Sequence, residues 1–263
     1  MIIHNLNGER DLRYTVKYFS GSLNRKFIYT FHKPRKILKD ILLNNANLKK
    51  IDGIIALGSK QKEFLINKLK HNRVKLIHHG IDTNYFTPKN NFIKSNIKRS
   101  ILFVGQHLRD FEMFNNVINI FKNENIDINV NVVIQPAYLR FLKNKDYLKI
   151  YSNISEDKLK VLYQNAICLF LPFKDVTACN AILESLACGT PIITNNVGDN
   201  SDYLDSSCAI FAENKESFVD SIQSLIMNSD KKNMRVAARN KSLKFDWENI
   251  SRKVKKFYEE VSS

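Results

Sequence analysis

Leu171–Asn200 reads LPFKDVTACNAILESLACGTPIITNNVGDN. The apolar run Ala166–Leu171 (AICLFL) leads into it and stops at Pro172, which reads as a short buried strand. A loop follows. Asn180–Ala187 then carries apolar residues at helical spacing, and Gly189 ends that helix at the C′ position. Pro191–Thr194 is the next strand, and Val197-Gly198-Asp199 is a turn. Strand, loop, helix and strand in that order make a βαβ unit of a parallel sheet. The helix start near Asn180 presents unpaired N–H groups and the positive end of the helix dipole, a setting suited to a phosphate. Glu184 lies about one turn in. It is placed either to hold a pair of sugar or ribose hydroxyls or to sit solvated at the edge of a buried helix.

The same alternation extends in both directions. Upstream, strands are expected at Met1–Asn5, Lys26–Phe31, Gly53–Leu57 and Val74–Ile77, with helices over Pro34–Leu48 and over Lys60–Lys70, the latter with Ser59 as N-cap. Lys89–Lys98 (KNNFIKSNIK) is polar and basic and reads as a linker. Beyond it come strands at Ser100–Gly105 and Ile128–Ile134 and a segment at Leu148–Tyr151. Helices are expected from Asp110 to Lys122 and, capped by Ile154-Ser155-Glu156-Asp157, to Gln164. Ser217–Met227, Asp230–Lys244 and an amphipathic Trp247–Val261 complete the chain. The pattern predicts α/β architecture with parallel sheets.

Charge is unevenly placed over the 263 residues, whose net charge is +15. Residues 1–99 hold 21 of the 41 Lys and Arg but only 6 of the 26 Asp and Glu, so all of the excess lies in the first third. Such asymmetry suits an anionic partner for that part, or a solvated basic face. No stretch of about 20 residues is apolar and free of charge, so no spanning helix is expected. Met1–Arg10 lacks the pattern of a secretory signal, and a cytoplasmic location is expected. Cys168, Cys179, Cys188 and Cys208 form no C-x-x-C pair and have no His at ligand spacing, so reduced thiols rather than a metal site are expected. His4 and His78-His79 read as structural.

Leu183–Ile193 (LESLACGTPII) resembles the donor-site helix of retaining glycosyltransferases of GT-B architecture, family 4, the glycosyltransferases group 1. Three further segments agree, in order. Thr30-Phe31-His32 resembles the acceptor-side loop that carries a His near the donor sugar. His79-Gly80-Ile81-Asp82 with Tyr85-Phe86-Thr87-Pro88 resembles the H-G-[VI]-D-x-x-x-F-x-P signature between domains. Phe103–Asp110 resembles the first strand and phosphate loop of the donor domain. The resemblance implies two Rossmann-like parallel-sheet domains, the first incomplete. An acceptor-side part would span 1–98 and a nucleotide-sugar part 99–245, with a helix over 246–263 crossing back to the first domain.

Carried over by position, the resemblance gives Glu184 the ribose hydroxyls and Thr177, Ala178, Cys179 and Asn180 the diphosphate or donor sugar. Gly105 allows close approach, Arg109 neutralises phosphate, and His32 meets the transferred sugar or the departing diphosphate. The family's first Glu, eight residues before the second, corresponds to Val176; Asp175, one residue earlier, is the substitute and is counted with His32 as catalytic. The usual Arg after the strand's Gly is Gln106, and the usual Lys further on is missing. Strand–helix units that commonly precede Met1–Glu9 in the family are also missing, which leaves a truncated gene product, a fragment, or a chain whose first domain a partner chain or homodimer completes.

The implied reaction moves a sugar from a nucleotide-diphosphate sugar to an acceptor hydroxyl with retention, without metal or cofactor, for cell-surface polysaccharide or glycolipid synthesis. The acceptor is expected to be a glycan or lipid-linked sugar, with the protein peripheral at an anionic inner membrane face. A non-catalytic or split sugar-nucleotide-binding subunit is the first alternative. A basic nucleic-acid-binding protein is the second, although no recognisable motif for nucleic acid accompanies the charge. Glu184→Ala is expected to weaken nucleotide-sugar binding while sparing thermal stability.

Overall fold

The computed structural model describes residues 1–19, 25–42, 46–67, 70–89, 99–227 and 231–263. The chain forms two all-parallel sheets. The first has four strands in sequence order, β1 (Ile2–Asn5), β2 (Lys26–Phe31), β3 (Gly53–Ala56) and β4 (Val74–Leu76). Helices α1 (Gly8–Phe19), α2 (Arg35–Leu42) and α3 (Ser59–Asn67) connect them. Side chains alternate across β2 as a strand requires. Phe27, Tyr29 and Phe31 pack with Leu12 of α1, Leu38 and Leu42 of α2 and Leu65 of α3. Ile28 faces the other way, with Ile55, Leu57 and Ile77.

A parallel sheet needs both faces covered. The second face of this one is covered by the last helix of the chain, Trp247–Ser262, through Ile250, Phe257 and Val261. Each such fully buried side chain is worth roughly 1.5–3 kcal/mol against exposure. The chain therefore returns to its own beginning, and that return holds the two sheets together.

The second sheet is built from β5 (Ser100–Val104), β6 (Asn129–Val133), β7 (Leu148–Tyr151), β8 (Cys168–Leu171), β9 (Ile192–Thr194) and β10 (Ala209–Phe211). Their spatial order is β10-β9-β8-β5-β6-β7. Helices α4 (Phe111–Asn123), α5 (Glu156–Asn165), α6 (Asn180–Ala187), α7 (Lys215–Met227) and α8 (Lys231–Leu243) complete this part, and the returning helix is α9. From β5 the chain moves outward to β6 and β7, then comes back to β8 on the opposite side of β5. The strand order reverses there, and a crevice opens at the carboxyl ends of β5 and β8.

Several local expectations are corrected. Helix α1, whose Leu12, Val16 and Phe19 stand at helical spacing, and strand β10, only three residues long, are not among the expected elements. The helix expected over Pro34–Leu48 ends at Leu42, and a 3₁₀ turn runs Ala46–Lys50. Residues 43–45, 68–69 and 228–230, and 90–98 of the expected linker, lie outside the described residues. Ser59 is the first residue of α3 rather than its cap. The capping acids come from the other sheet: Asp202 accepts from Ser59 N–H and, at 2.8 Å, from its hydroxyl, and Asp199 accepts from Lys60 N–H at 2.7 Å. Tertiary carboxylates here replace the local serine because they satisfy the same orphan N–H groups with full negative charge. Gly189 does occupy C′, at φ +67°, with Gly189 N–H bonded to Leu186 and Thr190 N–H to Ser185.

Candidate active site

The floor of the crevice is the loop after β5. Gly105 has φ +83°, and a Cβ there would lie 3.1 Å from Nη2 of Arg109. Both conformation and space therefore call for glycine. Leu108, at φ +56°, is a further left-handed residue in this loop. Two backbone bonds clamp the loop to the exit of β8, from Asp110 N–H to Pro172 and from Lys174 N–H to Leu108, each 2.9 Å. Asp110 then caps α4 by accepting from Met113 N–H.

This clamp aims Arg109. Its guanidinium carbon sits 4.5 Å from the centre of the Phe173 ring. Nε donates to Val104 carbonyl at 3.0 Å, Nη1 to His107 carbonyl at 3.1 Å, and Nη2 to Cys179 Sγ at 3.2 Å. Those bonds use three of its five N–H donors, and the last of them reaches the start of α6. The arginine is held rigidly with capacity to spare beside a helix N-terminus.

Helix α6 forms one wall. Cys179 is its N-cap and makes no side-chain capping bond. The Cys179 carbonyl is the first acceptor of the ladder, taken by Ile182 and Leu183, so the N–H groups of Asn180 and Ala181 precede it. Thr177, only 2% exposed, has a buried hydroxyl with no hydrogen-bond partner within the chain. An orphaned buried hydroxyl beside an uncapped helix start is the donor set expected for an anionic ligand. Glu184, half-buried one turn on, accepts from Tyr163 hydroxyl at 2.8 Å. Burial pushes the Glu184 carboxyl up, and the Tyr163 bond opposes the rise. Tyr163 itself is fully buried, so Glu184 is its structural partner as well as a wall of the crevice.

The facing wall comes from the first sheet. His32 follows β2, and its backbone N–H and that of Lys33 both donate to Oε1 of Glu9, at 2.5 Å for Lys33. Oε2 of Glu9 lies 3.8 Å from Nδ1 of His32. Lys33 Nζ reaches across to His107 Nε2 at 3.2 Å, joining the two walls at the rim. His107 is therefore a rim residue, and burial, then Lys33 and Arg109, lower its pKa.

The enclosed space is about 630 Å³. His32, Gly105, Arg109, Asp175, Thr177, Ala178, Cys179, Asn180 and Glu184 all line it, so every site residue expected from the sequence meets in one crevice. Val176, where the family has its first Glu, is 4% exposed, and Asp175 accepts from Val176 N–H at 2.8 Å. His4 bonds Tyr258 hydroxyl at 2.6 Å and Thr30 hydroxyl at 2.8 Å, tying β1 and β2 to α9. Cys168, Cys188 and Cys208 are buried free thiols, and Cys179 is a half-buried one. Among the described residues, no group of three or more His, Cys, Asp or Glu is arranged to hold a metal ion, and no helix is long and apolar enough to cross a membrane.

Glu9 and Tyr163 were missed from sequence. The signal for Glu9 was faint, an acid in the first turn of an unrecognised helix. Burial pushes the Glu9 carboxyl up, but the nearby His32 ring and the bonds from backbone N–H groups outweigh it, and the balance lies below the ordinary 4.5. A depressed carboxylate contributes stability that is full above its unfolded pKa and is lost as pH falls through the folded one. Glu9→Gln is therefore expected to destabilise the protein by about 1 kcal/mol near neutral pH. The gap closes well below pH 4.5. Urea melts of both proteins at neutral and acid pH check this, and equal stability at neutral pH would contradict it.

Comparison with known proteins follows the same lines. The family model of glycosyl transferases group 1 matches residues 87–243. No curated protein matches the chain. Among solved structures, sucrose-phosphate synthase from Thermosynechococcus elongatus is 16% identical with TM-score 0.78, and the match covers 99% of this chain and 73% of that one. A glycosyltransferase from Rickettsia africae is 18% identical with TM-score 0.71, covering 99% and 76%. Anabaena HepE in complex with UDP is 12% identical with TM-score 0.77, covering 98% and 78%. At these identities the structures establish the GT-B fold.

Proposed function

The chain belongs to the glycosyl transferases group 1 family, so its chemistry is glycosyl transfer, and we propose that it uses a nucleoside-diphosphate sugar with retention at the anomeric carbon. The observation that carries this reading is the meeting of Arg109, the uncapped start of α6 and the orphaned Thr177 hydroxyl around Gly105. That Anabaena HepE holds UDP supports a uridine donor for this chain.

In this reading the pyrophosphate lies against the α6 start. The N–H groups of Asn180 and Ala181, the Thr177 hydroxyl and the spare N–H groups of Arg109 face charge that grows as the glycosidic bond breaks. Such donors are fixed before the reaction and need no reorganisation, which is where electrostatic catalysis gains most. Ala178 and Cys179 supply backbone to the same turn. Glu184 takes the ribose hydroxyls, its carboxylate oriented by Tyr163. His32, positioned by Glu9, approaches from the opposite wall and stabilises the oxocarbenium-like sugar or the departing diphosphate, with Asp175 beside it. Charge neutralisation rests on Arg109 and the helix rather than on a metal ion.

The acceptor is a glycan or lipid-linked sugar in this proposal, and the setting is the cytoplasmic face of an anionic membrane. The positive first third supports that placement.

A thermal-shift panel of nucleotide sugars tests the donor, since a ligand bound only by the folded state raises the melt by mass action. Glu184→Gln is the informative control. It keeps an acceptor for Tyr163 hydroxyl, so stability is retained, while UDP binding falls roughly tenfold for loss of a charged hydrogen-bond acceptor. Glu184→Ala instead leaves the buried Tyr163 hydroxyl unpaired and costs about 1–3 kcal/mol. The Tyr163 bond is the reason that a stability loss is now expected for alanine. UDP affinity unchanged in Glu184→Gln would remove Glu184 from the donor site.

A further inference from the structure

A second pocket adjoins the crevice, sharing Pro34 and Asp175 with it. Its volume is about 230 Å³. Four cations line it, Arg35 and Lys36 from α2, Lys60 from α3 and Lys174 from the loop after β8. Among the described residues none of the four forms a side-chain salt bridge. The two acids of the pocket wall accept from backbone, and Asp199 also faces the charge of Lys60. Asp175 accepts from Val176 N–H, and Asp199 accepts from Lys60 N–H. The first ladder bond of α2 runs from Leu38 N–H to Pro34, so the N–H groups of Arg35 and Lys36 add to the positive field at the same rim.

Four cations outnumber the two acids around this concavity, with Arg35, Lys36 and Lys174 exposed at its mouth, so the pocket carries an excess of positive charge. A bound dianion supplies the missing charge and accepts several charge-assisted hydrogen bonds at once. The position fixes what such an anion is part of. The pocket meets the crevice at Pro34 and Asp175, next in the chain to the His32 loop, and neither the α6 start nor Glu184, where the proposed donor lies, lines it.

We infer that this pocket is an acceptor subsite that takes a phosphate group, so that the sugar acceptor is a phosphate-bearing molecule whose hydroxyl is presented toward His32 and Asp175. The inference rests on the transferase reading for the word acceptor; the phosphate itself is read from the pocket. One phosphate chemistry serves two sources, a soluble sugar phosphate and a phospholipid-linked sugar.

The test is binding by titration calorimetry in the presence of UDP. Glucose 6-phosphate is compared with glucose, and phosphatidylcholine vesicles with and without phosphatidic acid are run in parallel. The wild-type protein is set against Lys36→Glu/Lys174→Glu. The phosphate probe is expected to bind at least tenfold tighter than its neutral counterpart, and the double reversal to weaken it about a hundredfold, near tenfold for each charge. UDP affinity is expected to stay within about twofold in the variant, because neither lysine lines the donor crevice.

Preference for glucose 6-phosphate assigns a soluble acceptor. Preference for phosphatidic acid vesicles, lost in the variant, assigns a lipid-linked one. Equal binding of phosphorylated and neutral probes, or full affinity in the variant with UDP still bound, overturns the inference. Failure of the wild-type protein to bind UDP overturns the donor reading instead, and the paired probes still decide the pocket.

Discussion

Arg109→Ala is expected to weaken UDP binding about a hundredfold and to lower sugar transfer by roughly 10²–10³. The side chain is 8% exposed and already holds Val104 and His107 carbonyls, so its fork is oriented before any ligand arrives. Removing it deletes the guanidinium beside the α6 start and leaves two carbonyls without their partner. Some loss of stability accompanies the loss of function for that reason. Arg109→Lys separates the two effects. A lysine restores the charge but lacks the planar fork, cannot satisfy both carbonyls and a phosphate together, and loses the stacked contact with Phe173. Calorimetry with UDP at fixed salt reads the difference. Lysine restoring wild-type affinity would show that charge alone suffices and that the fork is incidental.

Gly198→Ala is expected to destabilise the protein by about 3 kcal/mol or more, lowering the melt by roughly 10 °C. Gly198 lies at φ +55°, where a Cβ costs about 1–2 kcal/mol by itself. That Cβ would overlap Val176 carbonyl and lie 2.7 Å from Oδ1 of Asp175. Val176 carbonyl is the acceptor of Asp199 N–H, and Asp199 in turn caps α3 across the two sheets. The substitution therefore displaces the loop that carries Thr177 and loosens the contact that closes the crevice. Stability and UDP affinity should fall together. A melt unchanged from wild type would mean that the loop relaxes freely and holds neither group in place.

Asp199 shows how closely that contact is tuned. Burial pushes its carboxyl up to about 6, against the opposing pull of the α3 N–H groups. A raised acid binds its proton in the folded state while the unfolded chain has released it. Stability tied to this group therefore falls as pH rises from its ordinary 3.8 to about 6. The carboxylate is retained there despite that cost because it is the acceptor that Lys60 N–H needs.

What could be read directly was whatever repeats within a short window. The apolar run Ala166–Leu171, the helical spacing from Asn180 to Ala187 and Gly189 after it are local signals, and the structure places β8, α6 and its C′ residue there. The candidate site residues came instead from resemblance to a known family. The nine site residues were named from segments far apart in the chain, and they meet in one crevice. Helix α1 was legible but passed over: Leu12, Val16 and Phe19 fall at helical spacing, and Leu12 packs against Phe27, Tyr29 and Phe31.

The sequence by itself determined the alternation of strands and helices and the asymmetry of charge, and its resemblance to a known family supplied the candidate site residues. Only the tertiary structure decided that Glu9 fixes His32, that Tyr163 holds Glu184, and that four cations share one pocket. It also decided that acids 143 and 139 residues away cap α3 in place of Ser59. The reason is range. Periodicity and capping are written in neighbouring residues, whereas a buried polar group takes whichever partner the fold brings to it, at any separation along the chain.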